Sequence, residues 1–127
     1  MAGRLDGRRI LVIDGDAQVR EVLREALEVE GARVTTADRA EAALAGLKKR
    51  AFDAAVADAD LPDATGEQLA TSLRARDPRL ARRTLFLARD PYAPSVKLLR
   101  RRAVVLPKPL ALSELIAALV GLGVGRR

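Results

Sequence analysis

The strongest fold signal in the chain lies in residues 52–66, which read FDAAVADADLPDATG. The apolar run Ala54–Ala57 is typical of a β-strand buried on both faces, and it runs into Asp58. The proline and glycine of residues 61–66 predict a loop, and leucines at helical spacing follow it. A buried strand, a loop and a helix in this order indicate a βα unit of a parallel sheet.

The same alternation of short apolar runs and amphipathic segments continues on both sides of this stretch. Strands are predicted at Arg9–Ile13, Ala32–Ala37, Ala54–Ala57, Leu85–Ala88 and Val104–Leu106. Five helices are predicted to follow them, with the second opened by Asp38 and the fourth near Ser95–Arg101. Because helical crossovers make neighbouring strands parallel, this order favours a flavodoxin-like (βα)5 three-layer α/β sandwich with strand order 2-1-3-4-5.

Caps and inward faces can also be predicted for the first and last helices. Asp16 is expected to cap the first helix and Ser113 the last. Val22 in the first helix and Val120 in the last belong to the apolar faces that helical spacing predicts.

Length and charge distribution bound the domain organisation. The chain has 127 residues, 49% of them hydrophobic, which predicts one domain over 1–127 with its core at about 8–123. Tails with a basic character are expected at 1–7 and 124–127. Residues 1–10 and 118–127 hold most of the net charge of +6, so this charge is weak support for nucleic-acid binding.

Several classes of site are excluded by composition. The chain has no Cys and no His, which removes disulfides, thiolate or imidazole metal sites and any role as a phosphohistidine donor. Aromatic residues make up 2%, so base stacking is almost unavailable and no nucleic-acid binding by this domain is expected. Without a long apolar run or a leader pattern, the expectation is a soluble cytoplasmic domain that does not contact a membrane.

Acidic residues follow two strands that the predicted order makes neighbours. Asp14 and Asp16 follow the first strand, and Asp58 and Asp60 follow the third. Ligands of open parallel sheets bind at the carboxyl ends of the strands, where strand order reverses, so three or four carboxylates are expected to converge there. Such a cluster repels itself unless it holds a cation, and oxygen-only ligands favour Mg²⁺.

A lysine is expected at the same edge of the sheet. Lys108 follows the fifth strand, where it can pair with a carboxylate or with an attached phosphoryl group. Acids after the first and third strands and a lysine after the fifth indicate an aspartate that accepts a phosphoryl group. Taken singly, Asp16 also fits a helix cap, Asp60 and Asp63 fit turn residues, and Lys108 fits a solvated loop.

The chain resembles the receiver domain of two-component response regulators, the fold typified by the chemotaxis regulator. The resemblance covers about residues 9–120, and residues 52–66 and the segment Leu106–Leu110 carry it best. The resemblance implies that Asp58 is the phosphoacceptor and that Asp14 is the first residue of the family's acidic pair. It also implies that the backbone carbonyl of Asp60 binds Mg²⁺. Lys108 matches the lysine of the family motif, which implies a cis peptide bond to Pro109.

Three positions depart from the family pattern. Gly15 stands where a second acidic Mg²⁺ ligand is expected, Ala88 where the switch Thr or Ser is expected, and Val105 where many members have an aromatic residue. The first departure predicts weak Mg²⁺ binding, with the side chain of Asp16 or Asp60 as a possible substitute. The other two predict an atypical coupling of the switch, because one hydrogen bond to a charged acceptor contributes about 1.5–3 kcal/mol.

The resemblance also implies partners and a non-enzymatic role. A histidine kinase or histidine phosphotransfer protein is expected to dock near the first helix. A downstream partner is expected at the face of the fourth helix, fifth strand and fifth helix. There Lys97 and Arg100–Arg102 favour an acidic partner or none. The domain is expected to be a regulatory phosphoacceptor, at most capable of self-catalysed phosphoryl transfer and autodephosphorylation, and not an enzyme.

Two alternatives stay open on the sequence. One is a pseudo-receiver, a protein-interaction module that signals without phosphorylation. The other is a haloacid-dehalogenase-type phosphatase, because Asp14-Gly15-Asp16 after an apolar strand is similar to the start of that family, with Asp14 as nucleophile and Asp16 as acid/base.

Overall fold

A five-stranded parallel sheet forms the centre of the computed structural model, which describes residues 3–125. Its strands are β1 Arg9–Ile13, β2 Arg33–Ala37, β3 Ala54–Asp58, β4 Thr84–Ala88 and β5 Val104–Pro107. The order is β2-β1-β3-β4-β5, and every neighbouring pair is parallel. The predicted fold class and strand order are therefore confirmed.

Helices cover both faces of this sheet. They are α1 Ala17–Val29, α2 Ala40–Leu47, α3 Gly66–Arg76, α4 Pro78–Arg82, α5 Lys97–Arg100 and α6 Leu112–Gly121, with a 3-10 turn at Pro94–Val96 before α5. The buried side chains of α1 and α6 share one apolar cluster, and those of α2 to α5 share the other. The molecule is thus a three-layer sandwich with an aliphatic core on each side of the sheet.

The strand β1 shows how the sequence builds both cores. Ile10 and Val12 pack against the α1 and α6 side, whereas Leu11 and Ile13 pack against the other. Successive side chains of a strand point to opposite faces, so a continuous apolar run is what a central strand with two covered faces requires.

Local hydrogen bonds fix where most helices begin. The Asp16 carboxylate accepts the N–H groups of Gln18 and Val19, which confirms the predicted cap of α1. Thr65 and Gln68 form a capping box at the start of α3. The predicted cap at Ser113 is wrong, because α6 begins at Leu112 after Ala111, without a side-chain cap.

The second helix is capped from a distant loop. Asp38 precedes the helix, but the N–H groups of Ala40 and Glu41 donate instead to the Asp63 carboxylate, at 2.8 and 2.9 Å. Asp63 therefore ties the loop after β3 to the start of α2. The short helix α4 was also not expected, so the described residues contain six helices where five were predicted; Asp77 caps α4 and Pro78 opens it.

Two expected inward positions and the core limits need correction. Val22 and Val120 are 52% and 41% exposed, because each lies at the margin of its helix's buried face. Leu5 and Val124 are fully buried in the α1 and α6 core, so the core extends beyond 8–123 into both expected tails. Residues 1, 2, 126 and 127 of those tails lie outside the described residues. Within the described part of the chain, no helix has the length and apolarity needed to cross a bilayer.

Candidate functional site

Three residues that are far apart in the sequence meet at one rim of the sheet. Asp14 follows β1, Asp58 ends β3, and Lys108 follows β5. The Lys108 Nζ lies 2.7 Å from Asp14 Oδ2 and 3.2 Å from Asp58 Oδ2. The convergence of these three residues at the carboxyl ends of the strands is therefore as predicted.

The two carboxylates differ in how firmly they are held. The side chain of Asp14 is 2% exposed, its Oδ1 accepts the N–H of Asp16 at 2.8 Å, and its Oδ2 accepts Lys108. The Asp58 side chain is 18% exposed, and its Oδ1 accepts the N–H of Asp60 at 3.1 Å. Asp58 is thus the carboxylate of this pair that a reactant can approach, whereas Asp14 is enclosed.

Lys108 is a firmly protonated cation at this site. Burial alone would lower its pKa, but the hydrogen bond and charge of Asp14, joined by those of Asp58, outweigh burial and raise the pKa above its usual value. Its backbone N–H donates to the Ala88 carbonyl at 2.9 Å, and the peptide bond to Pro109 is cis, as expected.

The expected convergence of three or four carboxylates is wrong. Among residues 3–125, no group of three acidic side chains is close enough to hold a metal ion together. The Asp16 carboxylate is turned into the first turn of α1 by its capping bonds, and Asp60 is exposed beyond the end of β3. A strong local hydrogen-bonding alternative therefore removes one of the predicted acids from the cluster.

The donor chemistry nevertheless fits Mg²⁺ with fewer ligands. Asp14 and Asp58 supply hard carboxylate oxygens. Asp60 and Thr65 face each other in an isolated antiparallel β-bridge. Its hydrogen bonds run from the Leu61 N–H to the Ala64 carbonyl and from the Gly66 N–H to the Ala59 carbonyl, so the bridge does not use the Asp60 carbonyl. Gly15 adds no ligand, and a Cβ there would lie 3.3 Å from the Pro62 ring.

The other departures lie beside this site. Ala88 ends β4 and lines the same cleft as Asp58 and Lys108, without a hydroxyl group. Val105 pairs with Phe86 and packs partly buried on the α2 to α5 side. Two hydroxyl side chains of the cleft, Thr65 and Ser95, were not singled out from the sequence. Only the general rule that loops after strand ends line such clefts could have indicated them.

The basic cluster after β4, formed by Lys97 and Arg100–Arg102, is exposed. Lys97, Arg100 and Arg101 are solvent-exposed. The Arg100 guanidinium stacks over Tyr92 at 4.9 Å, and Arg102 Nη1 donates to Thr71 Oγ1 of α3. The cluster therefore continues from α5 towards α3.

The geometry fits a phosphatase of the haloacid dehalogenase type poorly. That interpretation needs Asp14 as a nucleophile, but the Asp14 side chain is enclosed and far less exposed than that of Asp58. It also needs Asp16 as a free acid/base, but the Asp16 carboxylate caps α1.

Comparison with known families gives one consistent match. The family model of the response regulator receiver domain matches residues 10–120. A response regulator receiver protein of Anaeromyxobacter is 34% identical over 113 residues, which cover 86% of this chain and 46% of that protein. The virulence sensor protein BvgS of Bordetella pertussis is 39% identical over 69 residues, which cover 54% of this chain and 6% of that protein. The chain thus spans less than half the length of these two relatives.

A solved structure agrees with the sequence relatives. The response regulator TrrA of Thermotoga maritima, crystallised in complex with Mg²⁺ and BeF, aligns with a TM-score of 0.80 and 27% identity. The alignment covers 91% of this chain and 98% of that one.

Proposed function

This chain belongs to the family of response regulator receiver domains, and from that premise we propose that Asp58 accepts a phosphoryl group from a partner phosphohistidine. Receiver domains are regulatory phosphoacceptors of two-component systems and are not enzymes. The donor would be a histidine kinase or a histidine phosphotransfer protein docked near α1.

One observation carries this proposal. The Lys108 ammonium bonds at once to the enclosed Asp14 and to the more exposed Asp58. This arrangement keeps a cation beside the carboxylate that a phosphoryl donor can reach.

The chemistry follows from the charges of these side chains. An oxygen of Asp58 forms a bond to phosphorus while the phosphorus–nitrogen bond of the donor breaks, and its electron pair stays on the imidazole. Lys108, already 3.2 Å from Asp58, neutralises a phosphoryl oxygen of the product. Asp14 and the Asp60 carbonyl would hold Mg²⁺ together with Asp58. That ion would neutralise negative charge on the transferred phosphoryl group.

Two finer features belong to the same proposal. Mg²⁺ binding is weak, because Gly15 brings no carboxylate and Asp16 is engaged in capping α1. Phosphorylation of Asp58 is coupled to the rest of the molecule in an atypical way, because Ala88 has no hydroxyl to donate to a phosphoryl oxygen and Val105 has no large ring to relocate.

Labelling with a small phosphodonor tests the proposal. Acetyl phosphate with Mg²⁺ should add one phosphoryl group, detected by intact mass, and Asp58→Asn should abolish the addition. Glu67→Gln, a partly buried acid of α3, is the control and should label like the wild type. Labelling that persists in Asp58→Asn contradicts the assignment.

The absence of labelling under all these conditions would favour the pseudo-receiver. The natural residues Gly15 and Ala88 favour the pseudo-receiver, since the first lacks the carboxylate and the second lacks the hydroxyl that receiver phosphorylation normally uses. Steady hydrolysis of a phosphomonoester that is lost in Asp14→Asn but kept in Asp58→Asn would instead favour the phosphatase.

We also propose an acidic protein partner for the basic cluster formed by Lys97 and Arg100–Arg102. Their charges are exposed and belong to the face that receiver domains use for output. Reversal of the charges at Arg100 and Arg101 should weaken binding of a downstream partner in pull-down experiments. Unchanged binding would remove this surface from the proposal.

A further inference from the structure

Two arginines oppose each other at the amino-terminal rim of the sheet. Arg9 opens β1, Arg33 opens β2, and the two are direct partners in the parallel register. Partners in a parallel pair project to the same face of the sheet, and like charges in such positions repel each other. The sequence thus keeps a cation pair where an apolar or oppositely charged pair would be more stable.

A third arginine reaches the same place. Arg50, which follows α2, lines one cleft of about 280 Å³ together with Arg9 and Arg33. The remaining lining comes from Val34, Thr35 and Phe52, so no carboxylate contributes to it. Within residues 3–125, none of these three guanidinium groups forms an ion pair, whereas neighbouring Arg8 pairs with Asp53 at 3.5 Å.

We propose that this cleft binds a small phosphorylated molecule, with its phosphate groups between Arg9, Arg33 and Arg50. Guanidinium groups donate paired hydrogen bonds that match phosphate oxygens, and an anion among them removes their mutual repulsion. The Thr35 hydroxyl lies in the lining as a further donor. Phe52 is almost fully buried and offers no open ring for stacking, so recognition rests on the phosphate groups.

This site is independent of the phosphoacceptor. It lies at the amino ends of β1 and β2, whereas Asp58 lies at the carboxyl end of β3. A five-residue strand separates the two rims by about 16 Å. Failure at one site therefore does not imply failure at the other.

Titration with sodium pyrophosphate in the presence of EDTA tests the proposal on the full chain. Saturable amide shifts in NMR spectra should be confined to residues 9, 33–35 and 50–52. The double variant Arg33→Gln/Arg50→Gln should bind at least about tenfold more weakly, because it loses two sets of charge-assisted hydrogen bonds. The control Arg74→Gln/Arg79→Gln removes two exposed arginines of α3 and α4 and should bind like the wild type.

Three outcomes would overturn the proposal. Shifts that spread over the whole basic surface without saturation would show diffuse attraction only. Equal weakening in the control variant would remove the cleft as the site. Sedimentation with phosphatidylglycerol vesicles that depends on Arg33 and Arg50, without pyrophosphate binding, would replace the soluble ligand by a membrane surface.

Discussion

The ammonium of Lys108 lies 2.7 Å from Oδ2 of Asp14, a side chain that is only 2% exposed. Lys108 therefore compensates a carboxylate that water scarcely reaches. An enclosed carboxylate without its cation is costly, so this contact contributes to folding as well as to the proposed chemistry.

Lys108→Met should lower the free energy of unfolding by about 1–2 kcal/mol near neutral pH, a value reduced by the partial exposure of the ammonium. The pKa of Lys108 is raised in the folded state, so its stabilisation is present below the ordinary pKa of 10.5 and is lost as pH rises through the folded value. Urea unfolding near neutral pH and in alkaline solution above the ordinary lysine pKa of 10.5 measures the difference. Lys97→Met is the exposed control, and a difference that does not shrink at high pH would contradict the prediction.

Restoring a carboxylate at Gly15 should strengthen Mg²⁺ binding. Gly15→Asp adds the charge that the family normally has there, and about tenfold tighter binding is expected. Gly15→Asn creates the same close approach to Pro62, which would lie 3.3 Å from a new Cβ, but adds no charge. Calorimetric titration with MgCl₂ compares the two variants, and equal affinities would show that a third carboxylate is not what the site lacks.

A hydroxyl at Ala88 should strengthen the response to phosphorylation. Ala88→Thr supplies a donor for a phosphoryl oxygen, worth about 1.5–3 kcal/mol, whereas Ala88→Val has the same shape without the donor. Beryllofluoride should change the hydrogen-exchange rates of residues 89–96 more in Ala88→Thr than in Ala88→Val. If both variants respond alike, the missing hydroxyl is not the cause of an atypical switch.

Removal of the Asp63 carboxylate should destabilise the start of α2. Asp63→Ala leaves the N–H groups of Ala40 and Glu41 without this acceptor, and Tm should fall by a few degrees. Asp38→Ala is the control and should change Tm little, since Asp38 forms its ion pair with exposed Arg39.

The Asp63 contribution should also depend on pH. The bonds from Glu41 and Ala40 lower the pKa of Asp63 below its usual 3.8. Its stabilisation is therefore present above that value and is lost as pH falls through the folded pKa. Thermal unfolding of the wild type and Asp63→Ala should converge in acid, and a constant gap would contradict this origin.

The sheet and the core of the site could be predicted because their signals are local and periodic. The apolar run Arg9–Ile13 and the run before Asp58 mark central strands, and parallel order then brings Asp14, Asp58 and Lys108 to one rim. The order of the strands alone is enough to predict that these three residues meet, and no side-chain contact needs to be known.

The fate of individual polar side chains could not be predicted in the same way. Asp16 could ligate a metal or cap α1, and short-range bonds to the backbone decide for the cap. Asp63 caps α2 across more than twenty residues, a tertiary contact without a sequence pattern. Ser113 has a capping side chain, but helix α6 begins one residue earlier, at a boundary that propensity does not determine.

The two outermost strands carry a consequence for self-association. Unpaired strand edges invite addition of a further strand from another molecule, and charge or proline on the edge discourages it. Here β2 opens with exposed Arg33, and β5 ends at Pro107. Replacing Arg33 by a neutral residue therefore has a second effect, a greater tendency towards amyloid-like stacking at high protein concentration.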